Sequence, residues 1–158
     1  MKKKYLIIIC IAVIFTIIHA CFYYLNSKPE AEEYLLNSVL KNDKTYYLVY
    51  TESDLYQIAN GLNPADGNYI LMNDIHLTSS WQPIGTQKNP FCGSFNGENY
   101  CISNIIVESS KNRAFFGYAK NATIENLNLK CKGSHFFPVI GVASDCELHN
   151  CFTYQSGN

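Results

Sequence analysis

The sequence predicts a mainly β fold, a short parallel β-helix or solenoid, with an apolar helix ahead of it and a short helix capping its first rung. Three observations carry this. From Tyr69 to Lys130 the chain is a series of short apolar strands, each closed by a turn built on Gly or Asn, and no helical period runs through them. Residues 113–134 slide onto 137–158 at a shift of 24, with Gly117 on Gly141, Ala119 on Ala143, Asn126 on Asn150 and Ile124 on Leu148. A near-constant period of this size marks stacked rungs, none of which can bury its apolar face alone. Third, the chain opens with a lysine cluster followed by 21 uncharged residues, Tyr5–Leu25.

That opening run defines a first segment, 1–25. As a helix it extends roughly 31 Å, enough to cross a hydrocarbon core. Lysines ahead of the span predict a cytoplasmic N-terminus and an exported remainder. Tyr23 and Tyr24 fall where interfacial aromatics belong. An uncleaved signal-anchor is the expected fate, because the run is longer than a signal-peptide core and no small-x-small site ends it. Cleavage as a secretory signal is the second possibility. Lipoprotein processing at Cys21, within Ile18-His19-Ala20-Cys21, is the third. All three place residues 26–158 outside the cytoplasm, with the lipid bilayer as a partner of the first segment.

Residues 26–44 form a polar stem. Pro29 can start a helix, Glu30, Glu32 and Glu33 suit its first turn, and Leu35, Leu36, Val39 and Leu40 would share one face. A juxtamembrane helix is the expectation. The solenoid domain then covers 45–158. Thr45–Tyr50 reads as a strand. Ser53–Asn60 reads as a helix with Ser53 as N-cap, Leu55, Ile58 and Ala59 on one face and Gly61 as terminator. It is expected to cover the open first rung. No comparable cap ends the sequence, which points either to a longer parent protein or to a partner covering that end.

Within the rungs the unit I-x-N-[ILC]-x-[VLT] recurs. ISNIIV (Ile102–Val107) matches IENLNL (Ile124–Leu129) at a shift of 22. Strict alternation would send Ile124 and Leu127 to opposite faces, so both can point inward only if the chain bends at Asn126. Asn tolerates the left-handed backbone of such a bend. Asn104, Asn126 and Asn150 are therefore expected above one another at successive rung corners.

Several motifs in this stretch resemble the GLUG-motif bacterial surface domains. They are Tyr69-Ile70-Leu71-Met72-Asn73-Asp74-Ile75-His76-Leu77, then Trp81-Gln82-Pro83-Ile84-Gly85, Phe91-Cys92-Gly93-Ser94-Phe95-Asn96-Gly97, Ile102-Ser103-Asn104-Ile105 and Phe116-Gly117. They occur in family order over about half of the chain. Asn96 stands where Asp is commoner, and His76 also departs from the pattern. The resemblance implies a right-handed parallel β-helix and a cell-surface or adhesin-type setting. Members are adhesins or regions flanking secreted peptidases, so the resemblance implies fold and surface location far better than it implies an activity.

The cysteine count is high, at seven. Cys10 lies in the apolar run, and Cys92, Cys101, Cys131, Cys146 and Cys151 lie in the exported part, where disulfides are allowed. Asn96-Gly97 is the strongest short hairpin signal in the chain. A two-residue turn there sets Cys92 opposite Cys101 in a non-hydrogen-bonded pair, at a separation a disulfide can span. That bond is the expected pairing. Cys146, His149 and Cys151 are too few for a closed zinc site, and no cofactor is expected.

Charged residues make up 16 % of the chain and the net charge is −1, so nothing recommends nucleic acid as a partner. The carboxylates Asp74, Glu98, Glu108, Glu125, Asp145 and Glu147 do not gather at one rung position, as a polysaccharide-cleaving β-helix would require. Glu125 over His149 is the nearest approach to an acid–base pair. The expected role is a membrane-anchored, exported, non-catalytic surface module for contact or adhesion, with a protein or glycan as ligand. A fragment of a larger exported protein is the alternative, and a carbohydrate-active enzyme is a further one.

Overall fold

The computed structural model describes residues 16–17, 36–107, 113–133 and 137–156. The chain divides into two compact units, Met1–Tyr34 and Leu35–Asn158. In the first, Thr16 and Ile17 are helical. The rest of the expected membrane segment, including Cys21, lies outside the described residues. Among the described residues no helix is long and apolar enough to cross a membrane.

The second unit is a parallel β-solenoid of about four turns with one short helix. Each full rung runs through three sheets in the same order. The first sheet is opened by β1 (Ser38–Lys41) and β2 (Lys44–Val49), which form an antiparallel hairpin. Stacked on β2 in parallel are β3 (Asn68–Leu71), β5 (Ser94–Asn96), β8 (Thr123–Glu125) and β11 (Glu147–His149). The second sheet stacks β4 (Ile75–His76), β6 (Cys101–Ile105), β9 (Asn128–Lys132) and β12 (Phe152–Ser156). The third pairs β7 (Phe116–Lys120) with β10 (Ile140–Ser144), and Ile84 and Phe91 continue it one rung earlier by single bridges.

The 24-residue period is the observed register of the last two rungs: Phe116 lies beside Ile140, Ile124 beside Leu148 and Asn128 beside Phe152. The 22-residue match does not hold. Ile102 stacks beside Leu129 in the second sheet, while Ile124 stacks on Phe95 in the first. The two I-x-N units are alike because the same bend is used in two different sheets.

The inner column of the first sheet is Tyr47, Tyr69, Phe95, Ile124 and Leu148 in register. Tyr69, Phe95 and Ile124 are fully buried. Tyr47 stacks on Tyr69 at 5.4 Å between ring centroids, and Tyr69 on Phe95 at 6.4 Å. Phe91, Phe115 and Phe116 add edge and tilted contacts from the third sheet. Fully burying each such side chain contributes about 1.5–3 kcal/mol, so the buried members of this column help hold successive rungs together.

The expected stem helix is contradicted where residues are described. Residues 38–44 are strand and turn, and residues 26–35 lie outside the described set. Asn42 and Asp43 both have positive φ, as a two-residue hairpin turn needs, and Asn and Asp tolerate it. That signal outweighs a short helical stripe: Leu36 is buried while Val39 and Leu40 are exposed.

The cap is α1 (Glu52–Ala59), one residue earlier than expected, with Thr51 rather than Ser53 as N-cap. Thr51 Oγ1 accepts from Asp54 N–H at 3.2 Å, and Asp54 Oδ2 accepts from Thr51 N–H at 2.9 Å, a reciprocal capping box. Ser53 cannot serve this way because the Thr-x-x-Asp spacing begins at 51. Leu55 and Ile58 are the buried face. Glu52 ties the helix to the rung below, accepting from Thr78 N–H, Thr78 Oγ1 and Ser79 N–H. Tyr56 donates to Ser80 O at 2.8 Å and lies against Trp81. The helix thus occupies the place of the second and third sheets in the first rung.

Candidate contact surface

Because the inner column of the first sheet is buried, its alternate positions face outward. Two outer columns result: Tyr46, Asn68, Ser94, Thr123 and Glu147, and beside them Leu48, Ile70, Asn96, Glu125 and His149. Side-chain bonds run along them. Asn68 Nδ2 donates to Thr45 O at 3.1 Å and Ser94 Oγ to Asn68 Oδ1 at 2.9 Å. The face grades from aromatic and aliphatic at the capped end to charged at the other.

An asparagine ladder borders this face. Asn150 Nδ2 donates to Asn126 Oδ1 at 3.1 Å, and Asn126 Nδ2 to Asn96 Oδ1 at 3.3 Å. Asn126 and Asn150 have φ of 53° and 52°, and Ile124 and Leu127 are both buried across the bend, as the sequence predicts. Asn104 also bends left-handed, with φ 59° between buried Ile102 and Ile105. It stands in the second sheet, however, and donates to Leu77 O at 2.6 Å. The third member of the ladder is Asn96. A second corner went unread: Asn121 and Asp145, both at positive φ, turn the chain from the third sheet to the first. The 24-residue shift superposes them, so the signal was present.

The hairpin expected at Asn96-Gly97 is not formed. β5 and β6 belong to different sheets, and Cys92 and Cys101 are free thiols. The positive-φ pair is Glu98-Asn99, closed by Tyr100 N–H on Gly97 O at 2.8 Å. Asn96 Oδ1 accepts from Glu98 N–H at 2.9 Å, so the asparagine starts the turn instead of lying at its centre. The turn is a rung corner.

Burial raises the Cys101 thiol above its ordinary range, with Asp74 adding to it. Burial pushes the Cys131 thiol up to about 12. Cys146 and Cys151 point Sγ at backbone carbonyls of Ser144, Ile124 and His149. Among the described residues no group of three or more His, Cys, Asp or Glu could hold a metal ion.

Glu125 does lie in register with His149, but the close contact of His149 Nε2 is to Glu147 Oε2, at 3.6 Å, on its own exposed strand. Asp74 Oδ1 accepts from Cys101 N–H at 2.8 Å and so holds the next rung. Glu98 Oε1 accepts from Asn96 Nδ2, and Asp145 Oδ2 from Ser144 Oγ. Glu108 lies outside the described residues. A partly open cavity of about 140 Å³ lies between the end of α1 and the segment from Ile84 to Phe91, lined by Ile58, Asn63, Ile84, Asn89 and Phe91 among others.

These features define a capped parallel β-solenoid whose first sheet presents two outward columns. No protein-family model, no curated protein and no solved structure matches the chain.

Proposed function

We propose that the chain is an exported, non-catalytic surface module, held at the cell membrane by a single pass of its N-terminal apolar segment, whose solenoid makes contacts with a protein or glycan. The resemblance of its rung motifs to GLUG-motif domains supports the surface address and a right-handed winding. The observation that carries the reading is how the carboxylates are used. Asp74, Asp54 and Glu52 accept backbone N–H groups that hold rungs, cap and turn in place, while the outer columns from Tyr46 and Leu48 onward offer a contact face. Main-chain bonding of this kind gives these three carboxylates a scaffolding role.

The test is protease shaving of intact cells that express the full chain tagged at both ends. Removal of the C-terminal tag with retention of the N-terminal one supports the reading. A protected C-terminal tag overturns it. Contact through the outer face predicts that Tyr46→Ala with Ile70→Asp lowers retention of the cells on a glycan- or protein-coated surface while leaving the fold intact.

A further inference from the structure

We infer that the cavity between the end of α1 and the segment from Ile84 to Phe91 binds one neutral pyranose ring, the terminal sugar of a glycan. The site arises from an insertion. In the third sheet two residues separate Phe116 from Ala119, within β7. Their parallel partners one rung earlier are Ile84 and Phe91, and six residues stand between those. The excess leaves the ladder as a loop. Gly85, at φ +81°, starts it where a Cβ would run into the carbonyl oxygen of Tyr118. Thr86 N–H donates to Asn89 O at 2.9 Å and Asn89 N–H to Thr86 Oγ1 at 3.1 Å, so the loop is held in one shape. On the other side the chain leaves α1 through Gly61, which has nothing within 4 Å of where a Cβ would stand.

Size and lining select the ligand. The volume is about 140 Å³. An apolar cavity of about 150 Å³ holds benzene, so this space takes one six-membered ring. Because it is partly open, substituents on one side of the ring stay in water and a glycan chain can leave through the mouth. Its wall joins Ile58, Ile84 and Phe91, all buried, to the side chains of Asn63, Asn89 and Thr86. No charged side chain lines it, which argues against an ionic ligand. Apolar surface with a few convergent amide and hydroxyl groups suits a neutral sugar, which offers C–H faces and hydroxyls together. Asn63 is the strongest pointer. Among the described residues it is the one buried polar side chain, only 4 % exposed. Its Oδ1 accepts from Leu36 N–H at 3.5 Å, and its Nδ2 donates to Gln57 Oε1 at 3.4 Å. Both exceed the ordinary length of about 2.7–3.2 Å, and a side-chain amide has two donors and two lone pairs. A buried amide held this loosely keeps capacity for a stronger partner, and a sugar hydroxyl, donor and acceptor at once, supplies it. None of these residues belongs to the outer columns of the first sheet, so the site is distinct from the contact face. It rests on the surface reading only for where a glycan is met.

The experiment titrates the ¹⁵N-labelled full chain in mild detergent with glucose, galactose, mannose and N-acetylglucosamine, and with cyclohexanol as an apolar ring of the same size. At least one sugar is expected to saturate with a Kd of about 1 mM and to move the side-chain amide signals of Asn63. Asn63→Ala is expected to weaken it about tenfold, and Asn89→Ala by a smaller factor. Asn89 is exposed, so its variant stays folded even where the loss of Asn63 disturbs the packing. Absence of saturation with all four sugars overturns the inference. So does saturation that leaves the Asn63 amide signals in place, or cyclohexanol binding as tightly as the best sugar, since the ring alone would then suffice. The surface reading fails separately. A chain that binds no sugar yet loses cell retention with Tyr46→Ala and Ile70→Asp has lost this inference alone. A sugar-binding chain whose C-terminal tag is protected on intact cells has lost the surface reading alone.

Discussion

At the scale of single residues, the glycine and asparagine positions show what each rung demands of its sequence. A Cβ on Gly93 would run into the carbonyl oxygen of Gly67, on the rung before it. That carbonyl accepts from Ser94 N–H at 3.1 Å and cannot retreat without breaking the ladder. Gly93→Ala is expected to cost about 3 kcal/mol, read as a lower denaturant midpoint. Gly61 is the contrast: φ is +73° but nothing lies within 4 Å of a Cβ there, so Gly61→Ala should cost only about 1 kcal/mol. Equal losses at the two sites would refute this account of rung spacing. Asn126 combines a left-handed backbone with two ladder bonds. Asn126→Gly keeps the backbone and loses the bonds, so it should destabilise by about 1 kcal/mol, and Asn126→Ala by about 2. The bend was legible because Ile-x-Asn-Leu places two inward residues three apart. The ladder partner was not, since Asn96 sits beside Asn126 only after the Glu98-Asn99 turn has been inserted, and no sequence spacing reveals that insertion.

At the scale of elements, the cap is held by polar groups as much as by Leu55 and Ile58. Burial acts to raise the Glu52 pKa, but bonds from the Thr78 hydroxyl and the Ser79 and Thr78 N–H groups, with the charge of His76 nearby, outweigh it and lower it below the usual carboxylate value of 4.5. A carboxyl depressed by folding binds its proton less readily in the folded than in the unfolded state. Its contribution is present above the unfolded pKa and is lost as pH falls through the folded one. Between wild type and Glu52→Gln the stability difference should therefore shrink as pH is lowered below about 4.5. A difference independent of pH in this range would show that the charge is immaterial. The cap itself was readable from its apolar spacing, whereas the stem failed because two opposed signals overlap there. A helical stripe of Leu and Val competes with Asn42-Asp43, and the two-residue turn prevails once β2 has a parallel neighbour, β3, to fix it.

At the scale of the whole molecule, stacking places several ionisable groups in an apolar interior, and alkaline pH is where this becomes measurable. Burial raises the Cys131 thiol to about 12, with the neighbouring Cys101 adding to it, and burial also raises Cys151 and the Tyr69 hydroxyl, which donates to Pro64 O. In the unfolded chain the thiols ionise near 9. Above that pH the unfolded state has lost protons that the folded state still holds, so stability must fall as pH rises. The contribution of Cys131 is complete below about 9 and is lost progressively as pH climbs toward 12. Each proton of difference is worth about 1.4 kcal/mol per pH unit. Denaturant unfolding of wild type and Cys131→Ala at a series of pH values should give a shallower alkaline decline for the variant, by up to that slope. The variant should also be less stable near neutral pH, because the side chain fills the wall between β6 and β9. Parallel curves from pH 8 to pH 11 would mean that the Cys131 thiol titrates in the folded chain as it does in the unfolded one, and that the interior of the solenoid is wetter at this rung than its packing implies.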